Sequence, residues 1–208
     1  MMKILLLGAS GMVGSRILAE AAERGHEVIA AARSPEKIAE FPGVTAVKAD
    51  AHDASTFASY AAEADLVIGA VSPRNGGDAL AEATAYAKAL IAAKPKRVIM
   101  VGGAGSLSLP DGTPVVDVLP PEYVAEARGM KAAWDLLAQS DLKWTVLAPS
   151  AEIAPGELTG DYTIGGTTLL SDNKGKSHIS AEDFADAVIN EAEMKTLVGK
   201  LATVGYTG

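Results

Sequence analysis

The chain contains no cysteine and only three histidines, and aromatic residues make up just 5% of its 208 positions. Without thiols there are no disulfides, no cysteine nucleophile and no thiolate-bound metal. His26, His52 and His178 are scattered and lie near predicted turns, without a His, Asp or Glu cluster at ligand spacing, so no metal site is expected. With so few aromatics, the core must be built from Ala, Val, Leu and Ile. Basic charge is also scarce: 18 Lys and Arg stand against 26 Asp and Glu, a net charge of −8. That balance disfavours nucleic acid and anionic membranes, which need a basic face. No apolar run approaches the ~18 residues that span a bilayer. Met1-Met2-Lys3-Ile4 runs straight into an apolar strand with no cleavable signal. The expectation is a soluble cytoplasmic protein, monomer or homodimer, whose partner is a small molecule.

What the chain does have is 49% hydrophobic and 21% charged residues, a globular balance. Its length suits one α/β domain with a substantial core. Its most informative stretch is Gly8-Ala9-Ser10-Gly11-Met12-Val13-Gly14, directly after the apolar run Ile4-Leu5-Leu6-Leu7. A strand, a glycine turn and a helix start follow one another there in the order that grips a dinucleotide. Gly8 lets the chain turn off the strand, Gly11 clears room for a pyrophosphate, and Gly14 lets the helix press close. The helix N-terminus adds free N–H groups and a partial positive charge.

The second predicted strand, Glu27-Val28-Ile29-Ala30-Ala31, ends in Ala32-Arg33-Ser34-Pro35-Glu36-Lys37. A site preferring NAD usually carries Asp or Glu at that tip, to hold the ribose hydroxyls. Here alanine and then Arg33 stand there, with Lys37 a turn further on. A guanidinium and an ammonium attract a 2′-phosphate. The expected cofactor is NADP(H) in preference to NAD(H), with Arg33, Lys37 and Arg74 forming a local basic pocket.

Strands and helices alternate from end to end. Strands are predicted at Lys3–Leu7, Val28–Ala31, Val44–Lys48, Leu66–Val71, Arg97–Val101 and Trp144–Leu147. Helices are predicted at Val13–Arg24, near Pro35–Glu40, at Asp53–Ala62 behind an Asp53 N-cap, at Asp78–Ala93 and at Glu122–Gln139. Such alternation implies a Rossmann-type, doubly wound parallel sheet with ligands beyond the strands' carboxyl ends. It forms one α/β domain over 1–208, whose small C-terminal elaboration joins the substrate side, built from 102–121 and 149–180. Gly102 to Pro121 is a loop of about 20 residues, long enough for a lid. Asp161–Ile164 and Thr167–Leu170 flank Gly165-Gly166 like a hairpin. Ser180 caps a last helix, with Asp183 at the capping-box position, and Leu201–Tyr206 is expected as an edge strand.

Taken together, these residues resemble the atypical short-chain dehydrogenase/reductase group. That group includes the NAD(P)H-binding proteins of the flavin reductase and biliverdin reductase B type and the NmrA-like proteins. The matching segments are the glycine turn, Ala32-Arg33-Ser34, Lys48-Ala49-Asp50, and Asp65-Leu66-Val67-Ile68 running to Ser72-Pro73-Arg74-Asn75. Ser140 to Pro149 and Leu158 to Thr163 also match. The similarity covers essentially the whole chain. It implies that Asp50 lies near the adenine with Ala51 beside it, and that the loop from Ala70 and Val71 to Arg74 passes the cofactor. It also implies that Pro149-Ser150-Ala151 passes the nicotinamide. Ser10, Met12, Val13 and Gly102 complete the expected cofactor contacts.

Carbonyl-reducing members of the wider group use Tyr-x-x-x-Lys on the helix after the fifth strand. The spacing puts both side chains on one face, where the lysine lowers the tyrosine pKa. In this chain Lys131 has Ala127 four residues before it. Tyr123 is eight before, about 80° round the helix. The usual proton relay is absent, which argues against epimerase, dehydratase and ordinary alcohol chemistry. Hydride transfer to a flavin has no such requirement, because the cofactor carries the chemistry. The related reductases carry a serine at the end of the fifth strand and a histidine after the sixth, where this chain has Gly103 and Ser150. That difference weakens the case for a tetrapyrrole substrate. Ser106, Tyr123, Lys131 and Ser150 are the catalytic candidates, and Ser108 is a further candidate for hydrogen bonding. The expected function is an NADPH-dependent reductase acting on a flavin, such as FMN, or a similar planar acceptor. The alternatives are a non-catalytic NADP(H)-binding redox sensor of the NmrA-like kind, or an epimerase/dehydratase relative with displaced catalytic groups.

Overall fold

The computed structural model describes residues 1–74 and 76–208, so Asn75 lies outside the described residues. Strand β1 (Lys3–Leu7) is followed by α1 (Met12–Glu23), β2 (Glu27–Ala32), β3 (Val44–Lys48), α2 (Ala58–Glu63) and β4 (Leu66–Gly69). Then come α3 (Ala79–Ala93), β5 (Val98–Val101), α4 (Pro121–Ala138) and β6 (Trp144–Pro149). The C-terminal part holds β7 (Glu152–Ala154), β8 (Thr163–Ile164), β9 (His178–Ser180), α5 (Ala181–Met194) and β10 (Leu201–Gly205).

The main sheet has the order β3-β2-β1-β4-β5-β6-β10-β8, parallel throughout except for the β8–β10 pair. It is the doubly wound Rossmann-type sheet the alternation predicts. Two-sided burial explains the unbroken apolar run of β1, where Ile4 to Leu7 are all at most 1% exposed. Leu5 and Leu7 face a core shared with α2, α3 and α4, while Ile4 and Leu6 face one shared with α1 and α5. The strand order reverses between β1 and β4. Crossovers therefore leave in opposite directions there and open a crevice at the carboxyl ends of those strands.

Three expectations need correction. The helix predicted at Asp53–Ala62 is broken: Asp53 caps a single 3-10 turn at Ala54–Thr56, and the fully buried Phe57 intervenes before α2. The hairpin around Gly165-Gly166 does not close on itself. Thr163–Ile164 pairs instead with Val204–Gly205, and Thr167 and Leu169 bond through their backbones to Ser108 in the long loop. The open edge of β10 and the loop's unpaired backbone groups outcompete a two-strand ribbon, which is marginal by itself. As a result β10 is an interior strand, all five residues buried, and β8 takes the edge.

Asp78, expected as the first residue of its helix, is the N-cap of α3, accepting from Leu80 and Ala81 N–H. Ser180 caps α5 by accepting from Asp183 N–H. The Asp183 carboxylate does not return the bond. It accepts instead from Thr159 N–H and Gly160 N–H, and from the Thr159 and Tyr206 hydroxyls. This ties the loop before β8 and the C-terminal tail to the start of α5. Among the described residues, no helix is long and apolar enough to cross a membrane.

Candidate active site

The glycine turn sits at the crevice. Gly8 leaves β1 at φ +81°, and a Cβ there would lie 2.3 Å from the Ala70 carbonyl oxygen. Gly8 and Ala9 N–H both donate to the Ala31 carbonyl, fixing the turn to β2. A Cβ on Gly14 would lie 2.0 Å from the Gly8 oxygen, so α1 can seat against the turn only with glycine there. Gly11 is the N-cap of α1, which has no side-chain cap and no acidic residue in its first turn. The positive end of the helix and its orphan N–H groups are left for a ligand.

Two cavities open around this turn. The smaller, of about 300 Å³, lies between Gly8, Ser10 and Gly11 on one side and Arg33 and the stretch from Ala49 to His52 on the other. Asp50 accepts from the His52 N–H and from His52 Nδ1, both at 2.9 Å. The backbone bond foremost, and then the ring, hold its carboxyl below the ordinary range. The exposed Arg33 lines this cavity from the β2 tip. Lys37 lines neither cavity: the 3-10 turn Pro35–Lys37 buries the following Ile38 and leaves Lys37 facing outward. The expected basic pocket loses that member.

The larger cavity, of about 460 Å³, is floored by Val101, Gly102, Pro149 and Ser150 and walled by Tyr123, Glu126, Ala127 and Met130 of α4. Met12 and Val13 flank it from α1, while Leu119 and Pro120 close it from the long loop. Gly11, Ala70, Val71, Ser72 and Arg74 line both cavities, which therefore adjoin at the switch point. Arg74 reaches across the larger one, its Nε 2.9 and 3.1 Å from the two Glu126 carboxylate oxygens. This bond and the carboxylate's charge hold the guanidinium above its ordinary value.

The catalytic candidates fare unevenly. Tyr123 lines the larger cavity and is 53% exposed. Ser150 lines it too, but its buried hydroxyl donates to the Val204 carbonyl and fixes β6 to β10. Lys131 does not line the cavity. Its ammonium sits 2.8 and 3.0 Å from the Asp135 carboxylate oxygens and over the Trp134 ring, because helical spacing turns it away from Tyr123. Ser106, in the 3-10 turn Ala104–Ser106, and Ser108, bonded through its backbone to Thr167 and Leu169, are not lining residues either. Among the described residues, no three His, Asp or Glu form a metal-binding group.

Sequence reading missed Glu126, Met130, Leu119 and His52. The first two were within reach: positions 123, 126, 127 and 130 are one helical face, set by the i, i+3, i+4, i+7 rule.

A glycine cradle that a Cβ would fill, a bare helix N-terminus and an arginine at the β2 tip fit a phosphate-bearing dinucleotide. A family model for NAD(P)H-binding proteins matches residues 8–195. The chain belongs to the NAD(P)H-binding family. Solved structures similar to this NAD(P)H-binding protein include one provisionally named an exported protein, from Burkholderia pseudomallei. It is 41% identical, with TM-score 0.88, over 99% of this chain and 100% of that one. Another, provisionally named an epimerase, from Bacteroides thetaiotaomicron, is 34% identical, with TM-score 0.90, over 99% and 97%. A third, provisionally named an NADH-flavin reductase, from Streptococcus pneumoniae, is 28% identical, with TM-score 0.87, over 100% of both. The atypical short-chain dehydrogenase/reductase resemblance agrees with these matches.

Proposed function

We propose that this protein is a reductase that prefers NADPH to NADH and reduces a flavin or a similar planar acceptor. The observation that carries the reading is the α4 wall of the larger cavity. Ala127 occupies the position of the relay tyrosine, and Lys131 is engaged with Asp135 outside the cavity. A wall of Ala127, Met130 and Leu119 suits a flat ring and offers no tyrosine–lysine relay at a carbinol oxygen. The bound nicotinamide cofactor would supply a hydride. The chain's own part is to hold and orient: Gly11 and the α1 N-terminus take the pyrophosphate, Arg33 takes the 2′-phosphate, and the apolar walls pack against the faces of the acceptor ring. The acceptor's proton comes from solvent.

The similarity to a protein named an NADH-flavin reductase supports the choice of acceptor. The similarity to one named an epimerase does not outweigh the missing acid–base pair. The test is oxidation of NADPH and NADH in the presence of FMN, riboflavin and menadione. Turnover with a flavin, faster at low NADPH than at equal NADH, is the expected result. Tight NADPH binding without turnover of any acceptor would overturn the reductase reading in favour of a redox sensor.

A further inference from the structure

Arg74 and Glu126 are the only charged side chains that line the larger cavity, among the described residues. The rest of its lining is apolar or backbone, apart from Ser72, Tyr123 and the committed hydroxyl of Ser150. In the structure the two charges satisfy each other. Glu126 is held on the rigid face of α4 and Arg74 on the loop after β4. Glu126 is the more sheltered of the two, and a ring that enters beside it displaces water from its carboxylate, which is costly where no donor replaces that water.

We propose that Glu126 and Arg74 form the recognition edge for the acceptor, selecting a planar ring that carries an imide over one that carries only carbonyls. The proposal rests on the reductase reading and names its substrate class. An imide edge presents C=O, N–H and C=O in a row, as the flavin ring does. Its N–H donates to the Glu126 carboxylate while a flanking carbonyl accepts from the Arg74 guanidinium, so both charges stay satisfied. A quinone has carbonyls alone. It can accept from the terminal nitrogens of Arg74 while Nε stays on Glu126, but it brings the carboxylate no N–H of its own, so the bond an imide makes there is missing. Sites built to accept an N–H reject analogues that lack it far more strongly than apolar pockets reject a missing methylene.

The experiment compares riboflavin, N3-methylriboflavin (imide N–H blocked) and menadione, with wild type, Glu126→Gln and Glu126→Leu. Equilibrium binding with NADP⁺ present, read by flavin fluorescence or by competition for menadione, is measured beside steady-state NADPH oxidation. Circular dichroism checks the fold of each variant. For wild type, N3-methylation should weaken flavin binding and raise KM by about tenfold or more, the worth of a charge-assisted hydrogen bond. Glu126→Leu should weaken riboflavin by a similar factor, leave N3-methylriboflavin nearly unchanged and lose no affinity for menadione. Glu126→Gln, which keeps an acceptor oxygen but not the charge, should fall between. Equal affinity of wild type for riboflavin and its N3-methyl form overturns the proposal, as does an unchanged riboflavin affinity in Glu126→Leu. Discrimination in binding without turnover of any acceptor would instead overturn the reductase reading and leave the recognition edge standing.

Discussion

Replacing Gly11 and Gly14 one at a time should separate two jobs that the glycine turn performs. A Cβ on Gly14 would lie 2.0 Å from the Gly8 carbonyl oxygen and 2.9 Å from its carbon. Both are backbone atoms of a turn pinned to β2, so α1 itself must move. Overpacking of this kind costs about 1–3 kcal/mol. For a chain of this size 1 kcal/mol lowers Tm by about 2–4 °C, so Gly14→Ala should melt roughly 2–12 °C below wild type.

Gly11 is different. A Cβ there meets only the Gly8 oxygen, at 3.3 Å, and the backbone is at φ −75°, open to any residue. The loss of glycine at an N-cap and the gain from a stiffer unfolded chain are both under about 1 kcal/mol and opposite in sign. Gly11→Ala should therefore fold with Tm close to wild type. Its methyl group, however, projects where both cavities meet, beside the helix N–H groups. Displacing a phosphate from one or two charge-assisted hydrogen bonds costs roughly 10- to 100-fold in affinity, and Gly11→Val should abolish binding. Thermal unfolding by circular dichroism and calorimetric titration with NADPH decide the matter. A folded Gly11→Val protein with wild-type NADPH affinity would refute the cradle. So would a Gly11→Ala protein as unstable as Gly14→Ala.

Further outcomes follow from other parts of the site and core. Arg33→Ala should cost NADPH about 1–3 kcal/mol of binding and barely affect NADH; titration with each cofactor checks it, and equal losses would contradict the 2′-phosphate assignment. Tyr123→Phe should lower flavin-dependent NADPH oxidation by less than the ~100-fold expected for loss of a general acid; a larger fall, with disappearance of a limb in the pH–rate profile, would make Tyr123 the proton donor. Tyr86→Phe should leave stability unchanged or raise it by about 1 kcal/mol in chemical denaturation, because the Tyr86 hydroxyl is buried without a partner against Gly69. Burial alone would raise the Asp183 carboxyl, but bonds from the Thr159 and Tyr206 hydroxyls and the Gly160 N–H outweigh it and hold it below the ordinary range. The stabilisation it gives is therefore complete above the unfolded value of about 3.9 and is lost as pH falls through the lower folded value. Asp183→Asn should melt well below wild type at neutral pH, with the Tm gap narrowing as the solution is acidified; a gap independent of pH would show that the carboxylate is not what binds the loop.

Much of the fold was legible because parallel strands buried on both faces leave a plain signature. Ile4 to Leu7, Leu66 to Ile68 and Val98 to Val101 are short apolar runs closed by turn residues, and α3 between the last two carries its own N-cap in Asp78. Where the reading failed, tertiary partners had outbid local pattern. Phe57 interrupts the predicted helix where its ring is fully buried in the core it shares with Ala83, Tyr86 and Leu90 of α3. Thr163–Ile164 left its hairpin because β10 offered a ready edge. The sequence showed Asp183 three residues after Ser180, but not that Thr159 and Tyr206 would fold back to claim its carboxylate.

The site divides along the same line. The half proposed for the nucleotide is legible because a phosphate held by consecutive backbone would put its requirements on glycines at fixed spacing in a single stretch. The half proposed for the acceptor is assembled from the loop after β4, the long loop after β5 and one face of α4, which only the folded chain brings together. Glu126 in isolation is one of many glutamates. It gains meaning from Tyr123, Ala127 and Met130 on the same face and from an arginine 52 positions earlier that reaches its carboxylate. The helical period could have supplied the face. Only the crossover that carries the chain from β4 through α3 and β5 to α4 supplies Arg74, and with it a reason for a carboxylate to line an otherwise apolar cavity.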